Sequence, residues 1–130
     1  MRSLLSQSYK NIEILAIDDD SKDDSYKTLR KFAKKDKRLK VSRNVKRYGI
    51  GITLNRIIKK TKGSFIAFMD AEDVSTKDRL KKQLLYLKSN PQVVAVGTQC
   101  FFVGKNEKKL GKSKFPKENE NIYASPLHGV

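Results

Sequence analysis

Cysteine is nearly absent from this chain: Cys100 is the only one in 130 residues. One thiol cannot close an internal disulfide, so the fold has no covalent staple, and a reducing cytoplasm is the compartment this suits. Set among apolar neighbours, Cys100 reads as core filler. No run of about 18 apolar residues exists, which excludes a membrane-spanning helix. The N-terminus has no basic-then-apolar pattern, so nothing in it indicates export. No internal repeat is visible. Acidic residues are scarce against basic ones, 14 to 29, for a net charge of +15. Between Lys27 and Arg47, eleven basic residues are opposed only by Asp36, a local charge of +10. Such a field could attract nucleic acid, anionic lipid or a nucleoside diphosphate. Aromatic residues are not interleaved with these cations, which argues against a platform for single-stranded nucleic acid. The plainer alternative is a solvated, lysine-rich helix face.

What the chain does contain is an alternation of apolar strands and amphipathic helices. Asn11 to Ile17 reads as a strand ending at Asp18-Asp19-Asp20. Ser21 or Asp23 then caps a helix whose apolar stripe is Tyr26, Leu29, Phe32 and Ala33. Leu39 to Val41 makes a short strand. A helix from about Gly51 to Lys60 carries Leu54, Ile57 and Ile58, and Lys62-Gly63 ends it. Ser64 to Met69 reads as a buried strand. A helix from about Thr76 to Lys88 follows, with Leu80, Leu84 and Leu87 facing inward, and Asn90-Pro91 breaks it. Val93 to Val103 is a further strand, with a turn at Gly104 to Asn106. Beyond Glu107 the chain is polar, Pro116 and Pro126 interrupt it, and a loop is expected. Alternation at this spacing predicts an α/β fold, a mostly parallel sheet with helices on its faces.

Two apolar strands end in acids, one at Asp18-Asp19-Asp20 and one at Asp70-Ala71-Glu72-Asp73. In a parallel sheet both ends point the same way, and open α/β sheets bind ligands at that edge. Two carboxylates about 4 Å apart repel by roughly 4 kcal/mol at an effective dielectric near 20. A partly desolvated cluster therefore wants a cation. The spacing of Asp70 and Glu72, with hard oxygen donors, suits Mg²⁺ or Mn²⁺ held jointly with a substrate phosphate. The bland alternative for the second cluster is a helix-entry loop in which Asp73 or Ser75 acts as a cap.

Taken in order, these residues resemble the nucleotide-sugar glycosyltransferases of the GT-A fold, family 2. The resemblance runs from Ser3-Leu4-Leu5-Ser6-Gln7-Ser8-Tyr9 to Ser125-Pro126-Leu127-His128. Its motifs are Ile17-Asp18-Asp19-Asp20-Ser21, Tyr48-Gly49-Ile50-Gly51 with Leu54-Asn55, Lys62-Gly63, and Met69-Asp70-Ala71-Glu72-Asp73 with Asp78-Arg79-Leu80. Each motif alone is weak; their order and spacing are not. The resemblance implies a Rossmann-like nucleotide-binding half over residues 1–106 and a polar loop over 107–130 that leads toward an acceptor-binding region. It implies that Asp18 meets the base and ribose of the nucleotide, with Asp19 close by. Asp70 and Glu72, bordered by Asp73, would meet the diphosphate through Mn²⁺ or Mg²⁺. The implied partners are a nucleotide-diphospho-sugar donor and a saccharide or lipid-linked glycan acceptor. No specific nucleic acid is expected, and the basic surface allows peripheral contact with the inner face of the membrane.

The chain also departs from the family pattern. Asp20 stands where glycine is usual, which adds charge and removes backbone freedom. Glu72 replaces the commoner aspartate with one more methylene of reach. The family's opening apolar strand, which lies mid-sheet, has no counterpart before the helix tail at Leu4 to Tyr9. The general base of inverting members would fall beyond Val130, so a fragment truncated at both ends with incomplete catalytic machinery is expected. Glu107, Glu118 and Glu120 are the only late acids, and His128 lies near the turn toward the acceptor region. Two other readings remain open at this point. In a phosphoacceptor receiver domain, Ile14-Leu15-Ala16-Ile17-Asp18-Asp19-Asp20 would supply the first strand and acid pair and Asp70 the phosphorylated aspartate, but helix-like residues precede that strand, and a Pro-Gly turn and a Lys-Pro strand end are lacking. A basic nucleic-acid-binding protein would explain the charge and leave both acid clusters without a role.

Overall fold

A computed structural model describes residues 1–104, 106 and 108–117. They fall into two compact units, Met1–Gln92 and Val93–Val130. The first unit runs in the order α1 (Arg2–Leu5), β1 (Ile14–Asp18), α2 (Ser25–Ala33), β2 (Leu39–Arg43), α3 (Ile50–Ile58) and α4 (Arg79–Ser89). β1 and β2 pair in parallel, with Ile14 opposite Leu39 and Asp18 opposite Arg43. Two parallel strands cannot be joined by a tight hairpin, and α2 supplies the crossover. Its half-buried stripe of Tyr26, Leu29, Phe32 and Ala33 faces the sheet, as the 3.6-residue period requires. α3 packs against β1. The expected α/β architecture is therefore present, with element ends shifted by one to three residues.

The anchors of this unit are few. Among the described residues, Ile14 and Leu39 are the buried hydrophobic side chains. Burying one such residue contributes about 1.5–3 kcal/mol, so polar ties carry an unusual share of the order. Gln7 is the strongest of them. Fully buried, it donates through Nε2 to the carbonyls of Ser3 (3.0 Å) and Thr76 (2.7 Å). Its Oε1 accepts the amide of Leu80 at 3.1 Å. One amide side chain thus joins the turn after α1 to the start of α4. Glu13 makes a second tie, accepting the Lys62 amide at 2.6 Å and the Lys40 ammonium at 3.3 Å.

Ser64 to Met69 corrects a sequence expectation. The segment forms no strand and is not buried: Phe65, Ile66 and Phe68 are 50%, 46% and 56% exposed. Extended chain becomes a strand only where a neighbour accepts its backbone groups. β1 uses one edge on β2, and no described strand lies on its other edge. With no ladder to join, the apolar side chains of 64–69 have no sheet face to cover.

In the second unit, β3 (Phe101–Val103) pairs antiparallel with β4 (Lys109–Lys112), with an irregularity between Phe102 and Val103. β3 is much shorter than the strand expected from Val93, and β4 forms where a loop was expected. Cys100 is exposed rather than core filler, because a two-stranded hairpin forms no apolar core of its own.

An exposed apolar segment such as 64–69 is a site of self-association. The double variant Phe65→Lys, Phe68→Lys should scatter less light on concentration than the parent chain, with an unchanged far-ultraviolet dichroism spectrum. Equal scattering by both proteins would show that the 64–69 segment does not drive association.

Candidate functional site

The C-terminal end of β1 gathers the first acid cluster into a network. Asp18 is buried at 4% exposure, and its Oδ2 lies 2.9 Å from Arg43 Nε and 3.3 Å from the Ser21 amide that donates to it. The register makes this contact, since it sets Asp18 directly across from Arg43. Arg43 also donates to the Ser21 carbonyl at 2.7 Å and lies 5.2 Å from the centre of the Tyr26 ring on α2. One guanidinium so fastens β2 to the exit of β1 and to the crossover helix. Asp20 pairs with Lys22 at 2.6 Å and has φ of 61°, the left-handed region. That is the conformation for which glycine is suited, and it accounts for the residue usual at this place in the family pattern.

Asp19 organises the other side. Its carboxylate accepts the amides of Tyr48 (3.0 Å) and Gly49 (2.8 Å) and the Asn44 side-chain amide (2.7 Å). Gly49, with φ of 83°, is the N-cap of α3 and could not carry a side chain there without strain. The acid therefore sits beside the N-terminal end of α3, where the helix dipole favours negative charge. Asn44 is buried, bonds Thr53 Oγ1 at 3.0 Å and accepts Arg56 Nη1 at 2.8 Å. Arg56 stacks 3.8 Å from the centre of the Tyr48 ring. An open depression of about 480 Å³ adjoins this network, lined in part by Ser42, Arg43, Asn44, Tyr48 and Arg56. Gln7, Arg43, Asn44 and Arg56 had not stood out in the sequence as single residues.

The second acid cluster is arranged differently. Because 64–69 forms no strand, Asp70, Glu72 and Asp73 are not delivered by a sheet edge, and the expectation of two strand-end clusters on one parallel sheet is corrected. All three lie exposed on a turn in which the Asp73 amide donates to the Asp70 carbonyl at 3.3 Å. Neither Asp73 nor Ser75 caps the next helix, whose N-cap is Asp78. Among the described residues, no three acids, histidines or cysteines are grouped to hold a metal ion. The carboxylates of Asp70, Glu72 and Asp73 make no ion pair or side-chain hydrogen bond to a described residue, whereas those of Asp18 and Asp19 are engaged. Glu107, Glu118, Glu120 and His128 lie outside the described residues.

The sequence model described as "Glycosyl transferase family 2" matches residues 1–128. An uncharacterized glycosyltransferase of Haemophilus influenzae is 36% identical over 99 residues, which cover 76% of this chain and 40% of the relative. A second from the same organism is 30% identical over 125 residues, covering 96% of this chain and 38% of the relative. A putative teichuronic acid biosynthesis glycosyltransferase, TuaG of Bacillus subtilis, is 31% identical over 87 residues, 67% of this chain and 34% of that protein. This chain belongs to glycosyl transferase family 2, and its α/β core is of the Rossmann-like GT-A kind. The matched regions span about two fifths of the length of the Haemophilus relatives. Among the described residues, no helix is long and apolar enough to cross a membrane.

The Asp19 network has a signature in acid. Donation from the Tyr48 amide first, then from Asn44, lowers the Asp19 pKa from 3.8 to about 2. A depressed folded-state pKa means that folding favours the ionised form. Its contribution is complete above the unfolded value and is lost as pH falls through the folded one. Asp19→Asn should lower the melting temperature at neutral pH and flatten the loss of stability between about pH 4 and 2. Parallel acid limbs for the two proteins would show that this carboxylate does not hold the turn.

Proposed function

We propose that this chain forms the donor-binding half of a nucleotide-sugar transferase, with the exit of β1 at the nucleoside and the 70–73 turn at the diphosphate. The observation that carries this reading is the contrast between the two acid clusters. Asp18 and Asp19 are held by Arg43, Asn44 and the 48–49 turn, polar ties that would preorganise the floor of a nucleoside site. Preorganised polar groups bind without the cost of ordering them. Asp70 and Glu72 are exposed and have no side-chain partner among the described residues, which leaves their oxygens available to a ligand.

The donor chemistry fits a hard divalent cation. Mg²⁺ and Mn²⁺ at a diphosphate need only one or two protein carboxylates, the remaining positions being phosphate oxygens and water. Asp70 and Glu72 would hold it, with Asp73 adding negative charge at the border. When bound, such an ion neutralises the departing nucleoside diphosphate as a Lewis acid. The chain's own part is to orient the donor: Asp18 and Asp19 set the nucleoside end, and the acidic turn sets the diphosphate end. The acceptor would be a saccharide or lipid-linked glycan, and the base that activates its hydroxyl is assigned to none of the residues named here.

Isothermal titration of the chain with UDP and other nucleoside diphosphates, with and without Mn²⁺, tests this reading. Heat should appear only with metal, and Asp70→Ala or Glu72→Ala should weaken binding by about 10-fold or more, ~1.4 kcal/mol. Both side chains are exposed, so neither change threatens the fold. Binding that persists unchanged in chelator and in both variants would overturn the assignment.

A further inference from the structure

We propose that the outer face of α2 is a docking surface for an anionic lipid membrane. α2 runs from Ser25 to Ala33 and continues into turns. Lys27, Arg30, Lys31 and Lys34 lie on it at intervals of three and four residues, and Lys35 and Lys37 follow. At 3.6 residues per turn, the first four fall within an arc of about 100°. The arc is opposite Leu29, Phe32 and Ala33, which face the sheet. All six cations are exposed. Only Lys27 has an acidic partner, Asp24, at a loose 3.8 Å; among the described residues the other five have none.

Like charges three and four residues apart on a helix repel and weaken it. A face built this way is relieved by an external layer of negative charge. Position and composition narrow what that layer is. Two depressions on the first unit are lined by β1, β2 and α3 residues and the loops around them, and neither takes a residue from α2, whose cations lie exposed on the outer side of the helix. Five of the six cations are lysines. Lysine acts as a mobile, hydrated point charge, whereas nucleic-acid recognition favours the arginine fork. No aromatic ring is available on the arc to stack on a base, since Tyr26 lies under the Arg43 guanidinium and Phe32 is half-buried. An exposed lysine stripe with no base-reading group matches a plane of anionic headgroups. Each cation brought to such a surface strengthens binding about fivefold, within roughly a Debye length.

Co-sedimentation with vesicles tests this surface without any nucleotide, so its outcome is separate from that of the donor-binding reading. Vesicles of phosphatidylcholine with about one third phosphatidylglycerol should retain the chain at low salt and release it progressively toward about 0.15 M. Pure phosphatidylcholine should not retain it. The exposed triple variant Arg30→Gln, Lys31→Gln, Lys34→Gln should bind the anionic vesicles about 100-fold more weakly. An equal charge change on α4, Lys81→Gln, Lys82→Gln, Lys88→Gln, should leave most of the binding intact, and dichroism checks that both variants stay folded. The proposal is overturned if the two triple variants lose binding equally, if anionic vesicles fail to retain the parent chain, or if duplex DNA at equal charge concentration binds more tightly than the vesicles.

Discussion

The arrangement of the first unit depends on the acids at the end of β1 being satisfied from three directions. Asp18 is held across the sheet by Arg43, and Asp19 is held by the two amides that open α3 and by Asn44. The backbone repeats the tie, since the Asn44 amide donates to the Asp18 carbonyl at 2.9 Å. Asn44 then passes the constraint to Thr53 and Arg56 on α3. Without these contacts the parallel pair would end in two adjacent carboxylates, Asp18 and Asp19, with little to offset their repulsion. With them, β1, β2, α2 and α3 share one polar junction, and the entry to α3 is fixed by the glycine conformation at Gly49.

This junction matters because the sheet has little else. One strand pair gives one ladder, and β1's outer edge has no described neighbour. Gln7 and Glu13 partly compensate by binding segments distant in sequence, the first joining residues near the N-terminus to α4 and the second joining β1 to the exit of α3. Such side-chain bonds are directional but individually modest, about 0.5–1.5 kcal/mol net for a neutral pair. They position elements more than they stabilise them. Exposed Phe65, Ile66 and Phe68 are the counterpart of that economy: apolar area that no described element covers.

The sequence showed most of what local periodicity can show. β1, α2, β2, α3 and α4 are each visible from apolar spacing and breakers, with ends off by up to three residues because frayed turns carry no pattern. The segment 64–69 was misread for a definite reason. A short apolar run announces a preference for burial, not the presence of a neighbour, and strand formation needs both. Cys100 failed similarly, its apolar surroundings in sequence having no enclosing surface in the hairpin. Gln7 and Asn44 were invisible as single residues because their partners lie far along the chain. Asp20 was partly legible: it occupies a place where the family pattern has glycine, and the structure holds it at a positive φ. The availability of Asp70 and Glu72 was legible as chemistry, but not the turn that carries them.

Binding of a nucleoside diphosphate at the exit of β1 is most directly tested by mapping backbone amide shifts of the isotopically labelled chain as UDP is added with Mg²⁺. The network predicts the largest changes at Asp18 to Ser21 and at Tyr48 and Gly49, with a second set at Asp70 to Asp73. Changes confined to the basic face of α2, or spread evenly over the lysine-rich surface, would contradict it.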